Sequence, residues 1–151
     1  MTFDEIKEKL KGRTVGIAGC GGLGSNCAVA LARVGVGRLV IADFDEVSES
    51  NLNRQYYFHF QIGKKKVTSL KENIMLIGQG TEVIPFDIKL DRNNISRIFA
   101  NCDIIVEAFD LADQKEMLIE TVLSEMPDKY LVVGLGMAGW GNNDSIRCRR
   151  V

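Results

Sequence analysis

Four glycines near the N-terminus follow an apolar segment in a pattern that can hold a phosphate. Gly19, Gly21 and Gly24 form a G-x-G-x-x-G sequence, and Gly22 lies inside it. A turn without side chains brings a phosphate onto backbone N–H groups at a helix N-terminus, where the helix dipole favours negative charge. Asp43 follows about 20 residues later, where a carboxylate commonly accepts hydrogen bonds from ribose hydroxyls. The spacing predicts a nucleotide site and leaves nicotinamide dinucleotide, flavin and ATP open.

A polar segment beyond Asp43 supplies cations that a redox dinucleotide does not need. Residues 50–55 contain one arginine and three amide side chains, and three lysines follow at 64–66. A triphosphate carries more charge than a pyrophosphate linkage, and its transfer calls for Arg and Lys as fixed cationic donors. Asp110 is expected to close the fourth strand and offers the hard oxygen ligand that magnesium prefers. These residues favour ATP with magnesium over NAD or FAD.

Holding these side chains together requires a scaffold, and the sequence alternates apolar strands with amphipathic helices. The predicted strands are 14–18, 38–43, 82–86, 102–110 and 130–134, and the predicted helices are 3–11, 25–34, 66–77, 93–100 and 117–126. Such alternation is typical of an α/β fold, here a Rossmann-like doubly wound, mostly parallel sheet with helices on both faces. Ligands of such sheets bind beyond the carboxyl ends of the strands. Pro85 predicts that the third strand lies at an edge of the sheet or that the strand ends near this residue, because proline cannot donate to a strand ladder.

Composition excludes several classes of partner. The chain has 151 residues, of which 46% are hydrophobic, and 19 basic against 20 acidic side chains give a net charge of −1. With this balance the chain has no net positive potential that would attract a nucleic-acid phosphate backbone, so no nucleic-acid partner is expected. No apolar run approaches the roughly 20 residues that span a bilayer, so no membrane partner is expected. The charged opening segment does not resemble a signal peptide, which makes the cytoplasm the expected compartment.

The cysteines stand singly, and no pair has the CxxC spacing of a zinc site, so no structural zinc is expected. They are Cys20, Cys27, Cys102 and Cys148. A helix N-terminus can lower the pKa of a thiol, which applies to Cys20, but a packing role is the favoured interpretation. Asp113 could be a second neighbour of a metal or the N-cap of the helix after Asp110, and the cap is the favoured interpretation. Trp140, in a glycine-rich loop, is a candidate for covering a partner's extended tail.

Five blocks of the sequence, taken in order and spacing, resemble the ThiF/MoeB/HesA family of adenylation domains, which are relatives of ubiquitin-activating enzymes. The blocks are residues 19–25, 43–47, 50–55, 66–67 and Asp110. The resemblance covers roughly residues 12–140 and extends most closely to short members that act in thiamine biosynthesis. It implies an ATP-dependent adenylyltransferase. Its partner would be a ubiquitin-like, ThiS-like sulfur carrier protein that ends in diglycine, and its product a carrier acyl-adenylate with release of pyrophosphate.

The resemblance also implies roles for individual residues. The nucleotide-binding set would comprise Gly19, Gly21, Gly22, Gly24, Asp43, Asp45, Asn51, Arg54, Gln55 and Lys66. Within it, Asp43 would hold the ribose, while Asn51, Arg54, Gln55 and Lys66 would hold the phosphate chain. The catalytic residues would be Arg54, Lys66 and Asp110, with Asp110 as the magnesium ligand. No general base is needed, because the attacking carboxylate is already ionised at neutral pH.

The chain also departs from the longer members of that family. They carry paired CxxC motifs, a catalytic cysteine on a later loop, and an N-terminal arginine that reaches the partner subunit's ATP. Arg13 is too close to the first strand for that role, and no cysteine is nominated as catalytic. We expect one adenylation domain over residues 1–151, with 1–11 as an entry helix, and we leave open whether the sequence is truncated at its C-terminus. The resemblance implies a homodimer. Two alternatives stay open: an NAD(P)- or FAD-dependent oxidoreductase, and a non-catalytic module that binds a carrier.

Overall fold

The computed structural model describes residues 2–134. The strands are β1 (Thr14–Ala18), β2 (Arg38–Asp43), β3 (Glu82–Asp87), β4 (Ile104–Glu107) and β5 (Tyr130–Val133). The helices are α1 (Phe3–Lys11), α2 (Gly22–Arg33), α3 (Lys66–Met75), α4 (Ile95–Ile98) and α5 (Ala112–Glu125). Two 3₁₀ turns, Glu49–Asn51 and His59–Gln61, lie between β2 and α3. None of the helices in this part of the chain is long and apolar enough to cross a bilayer. Our expectations for Trp140 and Cys148 fall outside the described residues.

The five strands form one parallel sheet in the order β3-β2-β1-β4-β5. This order confirms the Rossmann-like α/β prediction. β1 lies at the centre, between β2 and β4, and the chain reverses its direction of winding there. Pro85 lies in β3, opposite Ile41 of β2, at an edge of the sheet. Of the two positions that this proline predicted, an edge of the sheet or a strand end, the structure shows the edge.

Both faces of the sheet are covered by helices, because successive side chains in a strand point to opposite sides. In β2, Leu39 and Ile41 pack into a core with α2 and α3. Val40 and Ala42 of the same strand pack into a second core with α4 and α5. β1 and β2 therefore read as continuous apolar runs, as expected for strands buried on both sides, whereas three of the four residues of β5 are exposed.

Several predicted boundaries and one predicted cap differ from the structure, and the largest shift is the start of α5 at Ala112 rather than at residue 117. α2 begins at Gly22 rather than at residue 25, because the glycine turn runs directly into the helix. β4 ends at Glu107, so the prediction that Asp110 closes this strand is wrong. The N-cap of α5 is Leu111, and Asp113 lies in the first helical turn. The capping role predicted for Asp113 is therefore wrong, although its charge there suits the helix dipole.

Candidate functional site

The glycine turn links β1 to α2, and at two of its positions, Gly19 and Gly24, a side chain cannot be accommodated. Gly19 has a φ of +95°, a region that favours glycine. A Cβ added at Gly24 would lie 1.8 Å from the carbonyl oxygen of Gly19. The N–H of Gly19 donates to the carbonyl of Ala42 at 2.9 Å. Gly21 is the N-cap of α2 and has no side chain to satisfy the free N–H groups there. The turn presents bare backbone at a helix N-terminus, which suits an anion.

Asp43, at the end of β2, braces this turn. Its Oδ2 accepts from the N–H of Cys20 at 2.7 Å, and its Oδ1 accepts from the N–H of Asp45 at 2.8 Å. The carboxylate is half-buried and lines a cleft. Each oxygen keeps a second lone pair, so Asp43 can brace the turn and also accept from a ligand.

A cleft of about 350 Å³ lies at the carboxyl ends of the strands, where ligands of this fold bind. Five of the predicted site residues line it together, although they come from three separate parts of the chain. They are Gly19, Gly21, Asp43, Asp45 and Lys66. Asp110, the sixth, lines the same cleft from the segment after β4. The apolar part of the wall consists mainly of Phe44, Ile88, Leu90, Phe109 and Leu111. The cleft combines an apolar wall with convergent charges, as ligand sites commonly do.

Lys66, the first residue of α3, brings a cation into the cleft. Its Nζ lies 3.1 Å from Oδ2 of Asp45, and its side chain is only 7% exposed. The preceding lysines point elsewhere: Lys65 pairs with Glu46 and Asp87, and Lys64 pairs with Glu72. The interpretation that Lys66, and not its neighbours, contributes to the site is supported by this geometry.

Arg54 and Gln55 flank the glycine turn and do not line the cleft. The side chain of Arg54 passes Gly22, since an added Cβ there would lie 3.7 Å from Cγ of Arg54. Its guanidinium donates to the carbonyl of Ser50 and to Oδ1 of Asn53, each at 3.0 Å. Arg54 is exposed, so this cation is held in place by its own loop while its other N–H groups stay available.

Gln55 and Asn51 differ in what they can offer a ligand. Gln55 is 7% exposed, its Nε2 lies 3.8 Å from the position of a Cβ on Gly21, and its buried Oε1 has no hydrogen-bond partner. Asn51 is half-buried, and its Oδ1 accepts from the N–H of Ser48 at 3.0 Å. The structure thus brings Gln55 to the turn, whereas Asn51 closes the 3₁₀ turn that precedes Arg54.

The thiol of Cys20 is buried within the glycine turn and is not activated by the helix. Burial, together with the charge of Asp43, raises its pKa well above the ordinary value. The favoured packing role is therefore confirmed. Burial likewise raises the pKa of the Tyr57 hydroxyl, which donates to the carbonyl of Cys20 at 2.7 Å.

Sequence reasoning missed the residues that attach the segment between β2 and α3 to the turn. Nδ2 of Asn26 donates to the carbonyls of Gly22 at 2.6 Å and Arg54 at 2.8 Å. Gln61 and Asn73 form two side-chain hydrogen bonds with each other, at 2.8 and 3.1 Å. The polar, aromatic composition of residues 44–66 showed that the segment is ordered. It carried no signal for these long-range pairs.

Arg13 lies far from the cleft along the sheet. It precedes β1, at the amino end of the sheet, and its guanidinium is 3.6 Å from Oδ1 of Asp103. The cleft lies at the opposite, carboxyl end.

The donors in the cleft suit magnesium carried by a nucleotide. Magnesium prefers oxygen ligands and usually uses only one or two protein carboxylates together with substrate phosphates. Asp110 is exposed at the cleft, and within residues 2–134 its carboxylate has no ion-pair partner, whereas that of Asp45 contacts Lys66. Asp110 therefore fits a magnesium ligand better than Asp45 does.

The fold and the cleft define a class of protein, namely Rossmann-like α/β domains with a ligand cleft at the carboxyl edge of a parallel sheet. Comparison with known families is more specific. The ThiF family model matches residues 2–142, and the chain belongs to the ThiF family.

Individual relatives extend this result. The "adenylyltransferase and sulfurtransferase MOCS3" of Caenorhabditis briggsae is 38% identical over 105 residues, which are 69% of this chain and 26% of that protein. The tRNA threonylcarbamoyladenosine dehydratase of Bacillus subtilis is 35% identical over 133 residues, 87% of this chain and 52% of that protein. Among solved structures, E. coli tRNA N6-threonylcarbamoyladenosine dehydratase, TcdA, in complex with ATP, superposes on this chain with a TM-score of 0.80. The two sequences are 26% identical, and the match covers 86% of this chain and 54% of that chain. The chain thus spans a quarter to a half of the curated relatives it matches.

Proposed function

We propose that this chain is the ATP-binding part of an adenylyltransferase that activates the C-terminal glycine carboxylate of a ubiquitin-like sulfur carrier protein. The observation that carries the proposal is the cleft in which Lys66 and Asp110 face the bare glycine turn. A glycine turn alone could bind the phosphates of any dinucleotide, whereas a turn combined with cationic side chains and a carboxylate suits a triphosphate with magnesium. Membership of the ThiF family supports the same interpretation.

In the proposed reaction, a carboxylate oxygen of the carrier attacks the α-phosphorus of ATP. The new bond joins the acyl oxygen to that phosphorus, the bond to the bridging oxygen breaks, and pyrophosphate leaves. Lys66 and Arg54 would offset the charge on the phosphate oxygens, and the glycine turn would fix their position. Asp110 would hold magnesium, which supplies further neutralisation of phosphate charge when bound. Asp43 would orient the ribose, and Gln55 would contact the nucleotide beside the turn.

The finer assignments belong to the same proposal. A ThiS-like carrier of thiamine biosynthesis is the carrier that the sequence resemblance suggests, and a homodimer is the assembly it suggests. Nothing in the described cleft selects one diglycine-ended carrier over another, so the test uses several carriers.

A second candidate substrate is a carboxylate carried by a tRNA nucleoside. It is favoured by the relatives named as threonylcarbamoyladenosine dehydratases, which match more than four-fifths of this chain. The threonyl group of that nucleoside has a free carboxylate, so activation by ATP would use the same cleft. The net charge of −1 favours the protein carrier.

Exchange of labelled pyrophosphate into ATP tests the proposal with the full 151-residue chain. Exchange with magnesium and one of a set of diglycine-ended carriers, and none with carriers lacking the terminal glycine, is the expected result. Exchange only with a threonylcarbamoyladenosine-containing tRNA selects the second candidate. Tight binding of a carrier without any exchange indicates a non-catalytic module. A rise in melting temperature with NAD that exceeds the rise with ATP indicates an oxidoreductase.

A further inference from the structure

The segment between β4 and α5 is held by a buried ion pair that the proposed chemistry does not use. Glu107, the last residue of β4, has a side chain that is 0% exposed. Its Oε2 lies 2.7 Å from Nζ of Lys115 in α5, whose side chain is 22% exposed. Lys115 also donates to the carbonyl of Gly134, just after β5, at 3.0 Å. One ion pair thus connects β4, α5 and the end of β5.

The other carboxylate oxygen of Glu107 shapes the backbone that leads to Asp110. Oε1 accepts from the N–H of Phe109 at 2.6 Å, two residues along the chain. On the other side of Asp110, the N–H of Lys115 donates to the carbonyl of Leu111 at 3.0 Å. The side chain of Glu107 therefore fixes the start of segment 108–111, and the first backbone hydrogen bond of α5 fixes its end, while the ion pair ties Glu107 to that helix. Residues Phe109, Asp110 and Leu111 of this segment line the cleft.

A buried ion pair is a costly way to join two elements. Well-packed apolar residues of similar volume are often as stabilising or more so, because both charges must be removed from water. A helix could thus be attached to this sheet without charges, as α2 is through Ala28, Val29 and Ala32. The ion pair instead determines where the chain turns after β4, and therefore where the carboxylate of Asp110 lies.

From this geometry we infer that Glu107 and Lys115 are positioning residues for Asp110, which they hold at the distance and direction that magnesium on a bound nucleotide requires. This inference rests on the proposed function, because Asp110 as the magnesium ligand is part of it. Neither residue touches the ligand; both act through the backbone of residues 108–111. Disturbing outer-shell partners of a metal ligand typically lowers metal affinity about 10- to 100-fold.

The ratio of two dissociation constants isolates this effect. The Kd of ATP in EDTA divided by the Kd of ATP with excess magnesium, both from calorimetry, reports how much magnesium adds to binding. The double variant Glu107→Leu/Lys115→Met leaves no single buried charge and is expected to fold. We expect this ratio to fall about 10- to 100-fold in the double variant. The Kd in EDTA should stay within about twofold, because the glycine turn and Lys66 are untouched.

Two further variants separate positioning from stability. Val122→Ala removes volume from α5 at a residue that is 1% exposed, so it should lower the melting temperature and leave the ratio unchanged. Lys115→Arg keeps a cation that can reach Oε2 of Glu107 and the carbonyl oxygen of Gly134. In this variant the ratio of the two dissociation constants should stay close to that of the unmodified protein. Glu107→Gln keeps an acceptor for the N–H of Phe109 but loses the charge, so its ratio should lie between those of the unmodified protein and the double variant. This variant replaces the double variant in the test if the double variant does not fold.

The inference is overturned if the folded double variant has the same ratio of dissociation constants as the unmodified protein. If only Glu107→Gln folds, an unchanged ratio in that variant overturns it. A ratio of one in the unmodified protein also overturns it, because magnesium would then add nothing to ATP binding. These binding measurements need no carrier. If they succeed while no pyrophosphate exchange is found with any substrate, then the proposed reaction fails and the positioning of Asp110 stands.

Discussion

Lys66 contacts Asp45 twice at the base of the cleft. Its backbone N–H donates to the carbonyl of Asp45 at 3.0 Å, and its Nζ lies 3.1 Å from the Oδ2 of the same residue. The first contact closes the long segment between β2 and α3 into a loop. The second holds the lysine side chain, which is 7% exposed, where it can meet an anion. A segment of about 20 residues thereby delivers one cation to the carboxyl edge of the sheet.

Replacing Lys66 should weaken ATP binding selectively. A charge-assisted hydrogen bond is worth about 1.5–3 kcal/mol, so Lys66→Gln should raise the Kd of ATP about 10- to 100-fold. The matched control is Lys65→Gln, because Lys65 pairs with Glu46 and Asp87 and does not line the cleft. Calorimetric titration with ATP measures both. An equal effect of the two substitutions would show that only general positive charge matters.

The glycine turn should be intolerant of a single methyl group. In Gly24→Ala the added Cβ would lie 1.8 Å from the Gly19 carbonyl oxygen, and we expect a loss of more than about 2 kcal/mol of unfolding free energy. Gly12→Ala is the control, since nothing lies within 4 Å of its Cβ position, and it should change stability by less than about 0.5 kcal/mol. Urea unfolding compares them. Similar stabilities for the two variants would contradict the described turn.

Stability should fall at alkaline pH. Burial raises the pKa of the Cys102 thiol from 9.0 to about 12 and raises that of Tyr57 as well. The folded state therefore keeps protons that the unfolded state releases, so this stability is present below about pH 9 and is lost as pH rises towards 12. Urea unfolding in a reducing buffer at several pH values between 8 and 11 measures the slope.

The matched variant for the alkaline prediction is Cys102→Ala. Its stability at pH 8 should be lower, because the substitution leaves a cavity. Its slope against pH should be shallower by up to about 1.4 kcal/mol per pH unit, the contribution of one titrating group. A slope identical to that of the unmodified protein would assign the alkaline loss to other groups.

Asn26 should matter to Arg54 although it lies outside the cleft. Its side chain bridges the carbonyls of Gly22 and Arg54, and a hydrogen bond of this kind contributes about 0.5–1.5 kcal/mol. We expect Asn26→Ala to lower kcat/KM for the adenylated substrate roughly 2- to 10-fold and to leave the Kd of ATP in EDTA nearly unchanged. Ser124→Ala, on the exposed side of α5, should change neither quantity. A loss confined to stability would remove Asn26 from the site.

The sequence was informative where local patterns decide the structure. Residues 14–18 and 38–43 were predicted with the observed bounds, because each is an apolar run ended by a turn or an acidic residue. Asp43 and the glycines were predicted from motif spacing, and Lys66 from the resemblance to a known family. The Glu107–Lys115 pair was missed, since a glutamate inside an apolar run shows no sign of its partner eight residues away. The bond from Asn26 to Arg54 was missed for the same reason: it forms only once the fold brings distant segments together.

Carrier-dependent exchange of pyrophosphate into ATP by paired variants tests the central claim most directly. Asp110→Asn and Arg54→Ala should lower the exchange rate by about 100-fold or more, the usual effect of losing a group that stabilises transition-state charge. Their controls are Asp113→Asn, three residues from Asp110 but not lining the cleft, and Arg92→Ala, which pairs with Glu120 on the surface. We expect both control variants to exchange pyrophosphate into ATP at the rate of the unmodified protein. Full exchange activity in Asp110→Asn and Arg54→Ala, with the unmodified protein active, would contradict it.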